Sequence, residues 1–106
     1  MEAVRTVPSR DIADCVARLC VRACTVLPGP VRALVNVAAQ TEPFPPARDA
    51  LLMIAKNAEI AEQTPLPICQ DTGMAVVFAE IGQDVHITGD TLENAVNEGV
   101  SRGYTE

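Results

Sequence analysis

Hydrophobic positions recur at helical spacing through the first half of the chain. Ser9 reads as an N-cap with Asp11 in the first turn. Ile12, Cys15, Val16, Leu19, Cys20, Ala23 and Leu27 then fall along one face of a helix. Pro28-Gly29-Pro30 stops it, and Pro30 suits the first turn of a second helix. That helix carries Val31, Leu34, Val35 and Ala38 on its stripe. Three prolines between Thr41 and Pro46 mark the next break. A third helix follows, with Ala47, Leu51, Ile54, Ala58 and Ala61 facing inward, and fades before Pro65.

Beyond Gly73 the period changes. Met74-Ala75-Val76-Val77-Phe78-Ala79-Glu80-Ile81 predicts a largely buried strand, Gly82-Gln83-Asp84 a turn, and Val85-His86-Ile87-Thr88 a short second strand. Asp90 with Glu93 resembles a capping box with Asp in place of Ser or Thr. The last helix places Leu92, Ala95, Val96, Gly99, Val100 and Gly103 on one side. Gly99 and Gly103 are one turn apart, so that face lets another backbone come close, at a cost in helix stability. The expected fold is α+β and mainly helical: three N-terminal helices, a loop with a small β-sheet, and a C-terminal helix. Tyr104-Thr105-Glu106 brings no closing glycine, proline or polar tail, so residues 1–106 are expected to be a piece of a longer domain.

Composition narrows the function classes. The chain has 106 residues, enough for one domain or part of one. Apolar residues are 48% and aromatics only 3%, so aliphatic side chains and alanine must fill the core. The net charge of -6 argues against nucleic acid and anionic membrane surfaces as partners, since both call for basic patches. The longest apolar run, Met74 to Ala79, is far below membrane-spanning length. Met1-Glu2-Ala3-Val4-Arg5 lacks the charged-then-apolar pattern of a secretory signal, which makes a cytoplasmic location the expectation. Free thiols or metal ligands then fit the four cysteines better than disulfides do.

The chemistry concentrates in Pro67-Ile68-Cys69-Gln70-Asp71-Thr72-Gly73. Pro65 and Pro67 stiffen the approach, because each fixes its own φ and pushes the preceding residue toward an extended shape. A soft sulfur ligand, an amide, a carboxylate and a hydroxyl follow one another on a loop that a rigid scaffold can hold. The residues alone leave Cys69 open as a nucleophile or a soft metal ligand. Asp71 and Gln70 also fit ordinary turn and surface roles. Asp-Thr-Gly occurs in aspartic-protease loops too, but those sites need two such loops to share a proton, and this chain has one. Cys20 and Cys24 lie one turn apart, yet match no known cluster or zinc spacing. Core packing is the stronger reading for Cys15 and Cys20. His86, the single histidine, fits a strand residue better than a catalyst.

Several segments together resemble a known family. They are Asn57-Ala58-Glu59-Ile60-Ala61, the Pro67–Gly73 run, Val76-Val77-Phe78, Glu80-Ile81-Gly82-Gln83-Asp84-Val85-His86-Ile87, Asn97-Glu98-Gly99-Val100 and Arg102-Gly103-Tyr104. They look like the N-terminal part of the α subunit, or α region, of the class I iron–sulfur fumarate hydratases and L(+)-tartrate dehydratases. The resemblance runs over nearly the whole chain and is strongest from Asn57 to Glu106.

This resemblance implies a hydro-lyase that reversibly hydrates a small dicarboxylate, either fumarate/malate or tartrate. It implies a [4Fe–4S] cluster held by three cysteines, with Cys69 matching the first. One iron is left open as a Lewis acid. Gln70 and Asp71 match residues that line the substrate pocket, and Asp71 is the candidate to bond the substrate hydroxyl or relay a proton. Thr72 and Gly73 shape the loop. The other two cysteines, the carboxylate-clamping arginines and a catalytic threonine belong to the later α region and a β subunit or β domain, so an oligomeric assembly is expected. The helical cysteines Cys15, Cys20 and Cys24 do not match the remaining ligand positions. The chain by itself is therefore expected to bind no intact cluster and to be inactive. Two other classes stay open: a non-catalytic assembly module derived from the α subunit, docking through the Gly99/Gly103 side, and a cysteine-nucleophile or redox protein built on Cys69.

Overall fold

The structure, a computed structural model, describes residues 3–70 and 73–105. The element order is β1 (Arg5–Pro8), α1 (Ser9–Thr25), α2 (Gly29–Thr41), α3 (Pro45–Gln63), β2 (Val85–Thr88) and α4 (Leu92–Thr105). This is the expected α+β, mainly helical class. The chain divides into two compact units, one of Met1–Val21 with Thr72–Glu106 and one of Arg22–Asp71.

The first unit holds the sheet, most of α1, and α4. β1 and β2 run parallel, with Arg5 opposite Val85, Thr6 opposite His86, Val7 opposite Ile87 and Pro8 opposite Thr88. The Arg5 N–H donates to the Asp84 carbonyl at 2.8 Å. Val85 and Ile87 alternate inward while His86 and Thr88 face water, the half-buried alternation expected of this stretch.

The partner of β2 differs from expectation. Met74–Ile81 forms no strand; β2 pairs instead with the N-terminal Arg-Thr-Val-Pro. A parallel pair needs a long crossover rather than a tight turn, so its partner lies far away in sequence. The run from Met74 stays largely in water, with Met74 87% and Phe78 93% exposed.

α1 and α4 meet through small residues. Ala13, Val16 and Cys20 are buried on α1, and Ala95 and Gly99 on α4. A methyl group placed on Gly99 would sit 2.6 Å from both the Ala13 carbonyl oxygen and Val16 Cβ. On Gly103 it would sit 2.7 Å from Cys20 Cβ and 3.0 Å from the Ala17 oxygen. Both glycines are therefore needed for the approach of the two helices. The same contact corrects two expectations. The Gly99/Gly103 side is already filled by α1 and is not a surface for a partner. The contact stripe on α1 is also narrow, so Cys15, Leu19 and Ala23 are exposed rather than buried. An Asp14–Arg102 ion pair at 2.7 Å spans the same two helices. Both side chains are part-exposed, so it contributes at most about 1 kcal/mol.

The start of α4 is also corrected. Thr91, not Asp90, is the N-cap: its hydroxyl accepts the Asn94 N–H at 3.1 Å. The Asp90 carboxylate accepts the Asn94 side-chain amide at 2.8 Å and the Thr91 N–H at 2.7 Å. These bonds, Asn94 first and Thr91 second, hold its carboxyl below the ordinary aspartate range. Ser9 opens α1, and its hydroxyl accepts the Asp90 N–H at 2.9 Å, joining the α1 start to the end of β2.

The second unit is the α2–α3 pair with the last turn of α1 and the loop after α3. Pro30 and Pro45 sit in first turns, where a missing N–H costs no hydrogen bond. Ala39 from α2 and Ala58 and Ala61 from α3 are buried. Of the expected stripes, Val35, Ala38, Ala47 and Leu51 are half-buried, while Val31, Leu34 and Ile54 are exposed. Burying an alanine methyl contributes only about 0.8 kcal/mol, so this core is weaker than one built on Leu and Ile. Arg32 and Glu62 form an ion pair from α2 to α3. No helix among the described residues is long and apolar enough to cross a membrane.

Candidate functional site

The Cys69 loop begins where α3 ends. Thr64 closes the helix, with its N–H and its hydroxyl both donating to the Ile60 carbonyl at 2.9 and 2.6 Å. The Leu66 N–H then donates to the Ala61 carbonyl at 3.2 Å. Pro65 and Pro67 bar any return to helix, and the chain leaves in an irregular path.

Ile68 is fastened on both sides. Its N–H donates to the Cys24 carbonyl at 2.8 Å, and its carbonyl accepts the Asn57 side-chain amide at 2.7 Å. Cys24 lies in the last turn of α1, where carbonyls have no partner within the helix, so the loop satisfies one of them.

Cys69 and Gln70 come next, and both are exposed. A thiol displayed on an anchored, solvent-facing loop can reach a metal or an electrophile; one packed among aliphatic side chains cannot. Asp71, the proposed proton-relay residue, and Thr72 lie outside the described residues. Gly73 follows with φ +51°, a left-handed conformation that favours glycine and that its place in the loop suggested.

The remaining candidates lie elsewhere. Cys20 is buried, packed on α4 at Gly103, in keeping with a structural role. Cys15 is exposed, against expectation, and Cys24 is half-buried. The four cysteines form no disulfide. His86 is exposed on β2 opposite Thr6. An open hollow of about 360 Å³ in the first unit is lined mainly by Val7, Ile12, Ile81, Val85, Ile87 and Leu92. Arg5 and Glu80 also line it, so its walls are aliphatic with one charge of each sign.

A cluster held by three cysteines needs three thiolates at one place. The Cys69 loop supplies one donor of the right softness and exposure. Among the described residues, no three His, Cys, Asp or Glu side chains are grouped so as to hold a metal. Of the donors such a group needs, the described part of this loop offers one exposed thiol.

Comparison with known proteins shows the family. A sequence model described as fumarate hydratase (Fumerase) matches residues 13–106, and the chain belongs to that family. Relatives carry the names of two kinds of hydro-lyase. An L(+)-tartrate dehydratase subunit alpha of Methanocaldococcus jannaschii is 32% identical over 97 residues, covering 90% of this chain and 34% of the relative. The anaerobic class I fumarate hydratase of Escherichia coli is 42% identical over 55 residues, 52% of this chain and 10% of the enzyme. The aerobic class I fumarate hydratase of Salmonella typhimurium gives the same identity over 55 residues, and 9% of its length. The chain thus spans about a third of the first relative and about a tenth of the other two. No solved structure matches it.

Sequence reasoning did not single out Asn57 as a loop contact. It lay within a segment that carried the family resemblance, but nothing in its neighbourhood shows that its amide meets a carbonyl eleven residues on.

Proposed function

We propose that this chain is the N-terminal part of the α region of an iron–sulfur hydro-lyase that adds water to, or removes it from, a small dicarboxylate of the fumarate or tartrate type. The observation that carries the reading is the exposed Cys69 thiol on a loop anchored immediately before it, within a chain of the fumarate hydratase family. Cys69 donates one thiolate to a [4Fe–4S] cluster. Further cysteines come from the later α region and a β subunit or β domain.

When bound, the cluster supplies a Lewis-acid iron that polarises the substrate. The chain's own residues do the rest of what falls to it. The Gln70 amide, with donors and an acceptor, orients a substrate carboxylate or hydroxyl. The Asp71 carboxylate accepts a hydrogen bond from the substrate hydroxyl and holds or moves its proton. The chain carries -6, so a dianion is drawn in by cations from elsewhere in the assembly. The reaction takes place in the cytoplasm, in an oligomeric complex, and the chain alone holds no cluster and has no activity.

Anaerobic reconstitution with iron and sulfide, followed by visible absorbance, tests this. The chain combined with the remaining α region and the β part should gain a broad visible band that Cys69→Ala abolishes. A stable band in the chain alone, or unchanged turnover by the Cys69→Ala complex, would refute the ligand assignment.

A further inference from the structure

We infer that Asn57 is a positioning residue for the Cys69 thiolate, acting through the peptide that joins Ile68 to Cys69. The inference rests on the reading of Cys69 as a cluster ligand and deepens it. The Ile68 carbonyl lies in the same rigid plane as the Cys69 nitrogen and Cα, because a peptide unit does not twist. Donation from Asn57 Nδ2 at 2.7 Å fixes that plane from α3. The plane before it, from Pro67 to Ile68, is fixed by the Ile68 N–H on the Cys24 carbonyl at 2.8 Å. Pro67 adds a locked φ. Two consecutive peptide planes are thus held, one from each side, and the Cys69 Cα takes its place from them.

The identity of residue 57 fits this task. A carbonyl can only accept, so the side chain facing it must donate, and the Asn amide nitrogen does. Asn is a weak helix former in a helix interior, yet it stands in the body of the 19-residue α3. Its side chain is exposed, so no packing demand explains it. Asp at the same position has the same shape and no donor.

The test has two arms. On the chain as it stands, amide exchange is followed by NMR. Asn57→Asp and Asn57→Ala should speed exchange of the Ile68 N–H at least tenfold, with the Ala58 and Ala61 amides changing less than twofold. In the complex reconstituted with the remaining α region and the β part, the readout is the EPR spectrum of the reduced cluster. Asn57→Asp should shift that spectrum or lower cluster loading several-fold, and Asn57→Gln, which keeps the donor, should recover part of the loss. Unchanged Ile68 exchange would overturn the inference. So would a wild-type spectrum in Asn57→Asp when Cys69→Ala abolishes the signal. A spectrum that survives Cys69→Ala would instead refute the ligand reading, and the positioning role with it.

Discussion

Val85–Thr88 and Met74–Ile81 are both composed of strand-forming residues, yet only the shorter becomes a strand. Val85–Thr88 has four residues and moderate hydrophobicity, and it pairs with Arg5–Pro8. Met74–Ile81 is longer and more apolar, and it lies exposed without regular structure. The difference teaches that β-propensity describes fit to a pleated neighbour and not a backbone preference held alone. A strand exists where a second segment offers its N–H and C=O groups at the right register. β2 has such a segment, fastened by the Arg5–Asp84 bond and by the Ser9 hydroxyl on Asp90.

The comparison can be pressed by experiment, starting with the α1–α4 contact in the same unit as the paired strand. Gly99→Leu places a side chain where even a methyl would meet the Ala13 oxygen and Val16. Overpacking of this kind costs about 3 kcal/mol, although the same change in an open helix would stabilise it by roughly 1 kcal/mol. A urea midpoint that rises in Gly99→Leu would show that the α1–α4 contact is not there. Arg5→Pro removes the N–H given to Asp84 and should lower stability by about 1 kcal/mol, read from the same melts. The control is Phe78→Ser, in the unpaired run. At 93% exposure it should stay within roughly 0.5 kcal/mol of wild type, and a larger loss would mean that the run is packed after all.

The smallest effect concerns the turn after β2. The Asp90 carboxyl sits below its ordinary range because Asn94 and Thr91 bond its charged form. A group depressed in the folded state adds stability above its unfolded pKa and loses it as pH falls through the folded value. The difference in urea midpoint between wild type and Asp90→Ala should thus be present near neutral pH. It should shrink as the solution is acidified below the ordinary aspartate range. A difference that persists unchanged in acid would mean that the charge plays no part.

Much of the helical order was legible, because proline breaks and apolar spacing are local signals. The stops at Pro28 and Pro43, and the start at Pro45, follow from what a proline ring forbids. The buried face of each helix was less legible. On α1 the expected stripe held at Val16 and Cys20, but contact with a glycine-lined helix buried Ala13 as well and left Cys15 and Leu19 exposed. The Cys69 loop was legible as a candidate site, since its residue types stand next to one another. Its anchoring was not, because Cys24 and Asn57 reach it from other elements.

By itself, the order of residues determined where prolines interrupt the helices, that Cys69 would stand on a non-helical loop, and that a glycine pair would permit a close approach. These follow from torsional limits and side-chain size, which each residue carries wherever it sits. Only the tertiary structure decided which helix met the glycines, which distant strand completed β2, and which groups hold the peptide before the thiol. Each of those is a pairing between segments far apart in the chain, and a hydrogen bond or a contact has no sign in one partner alone.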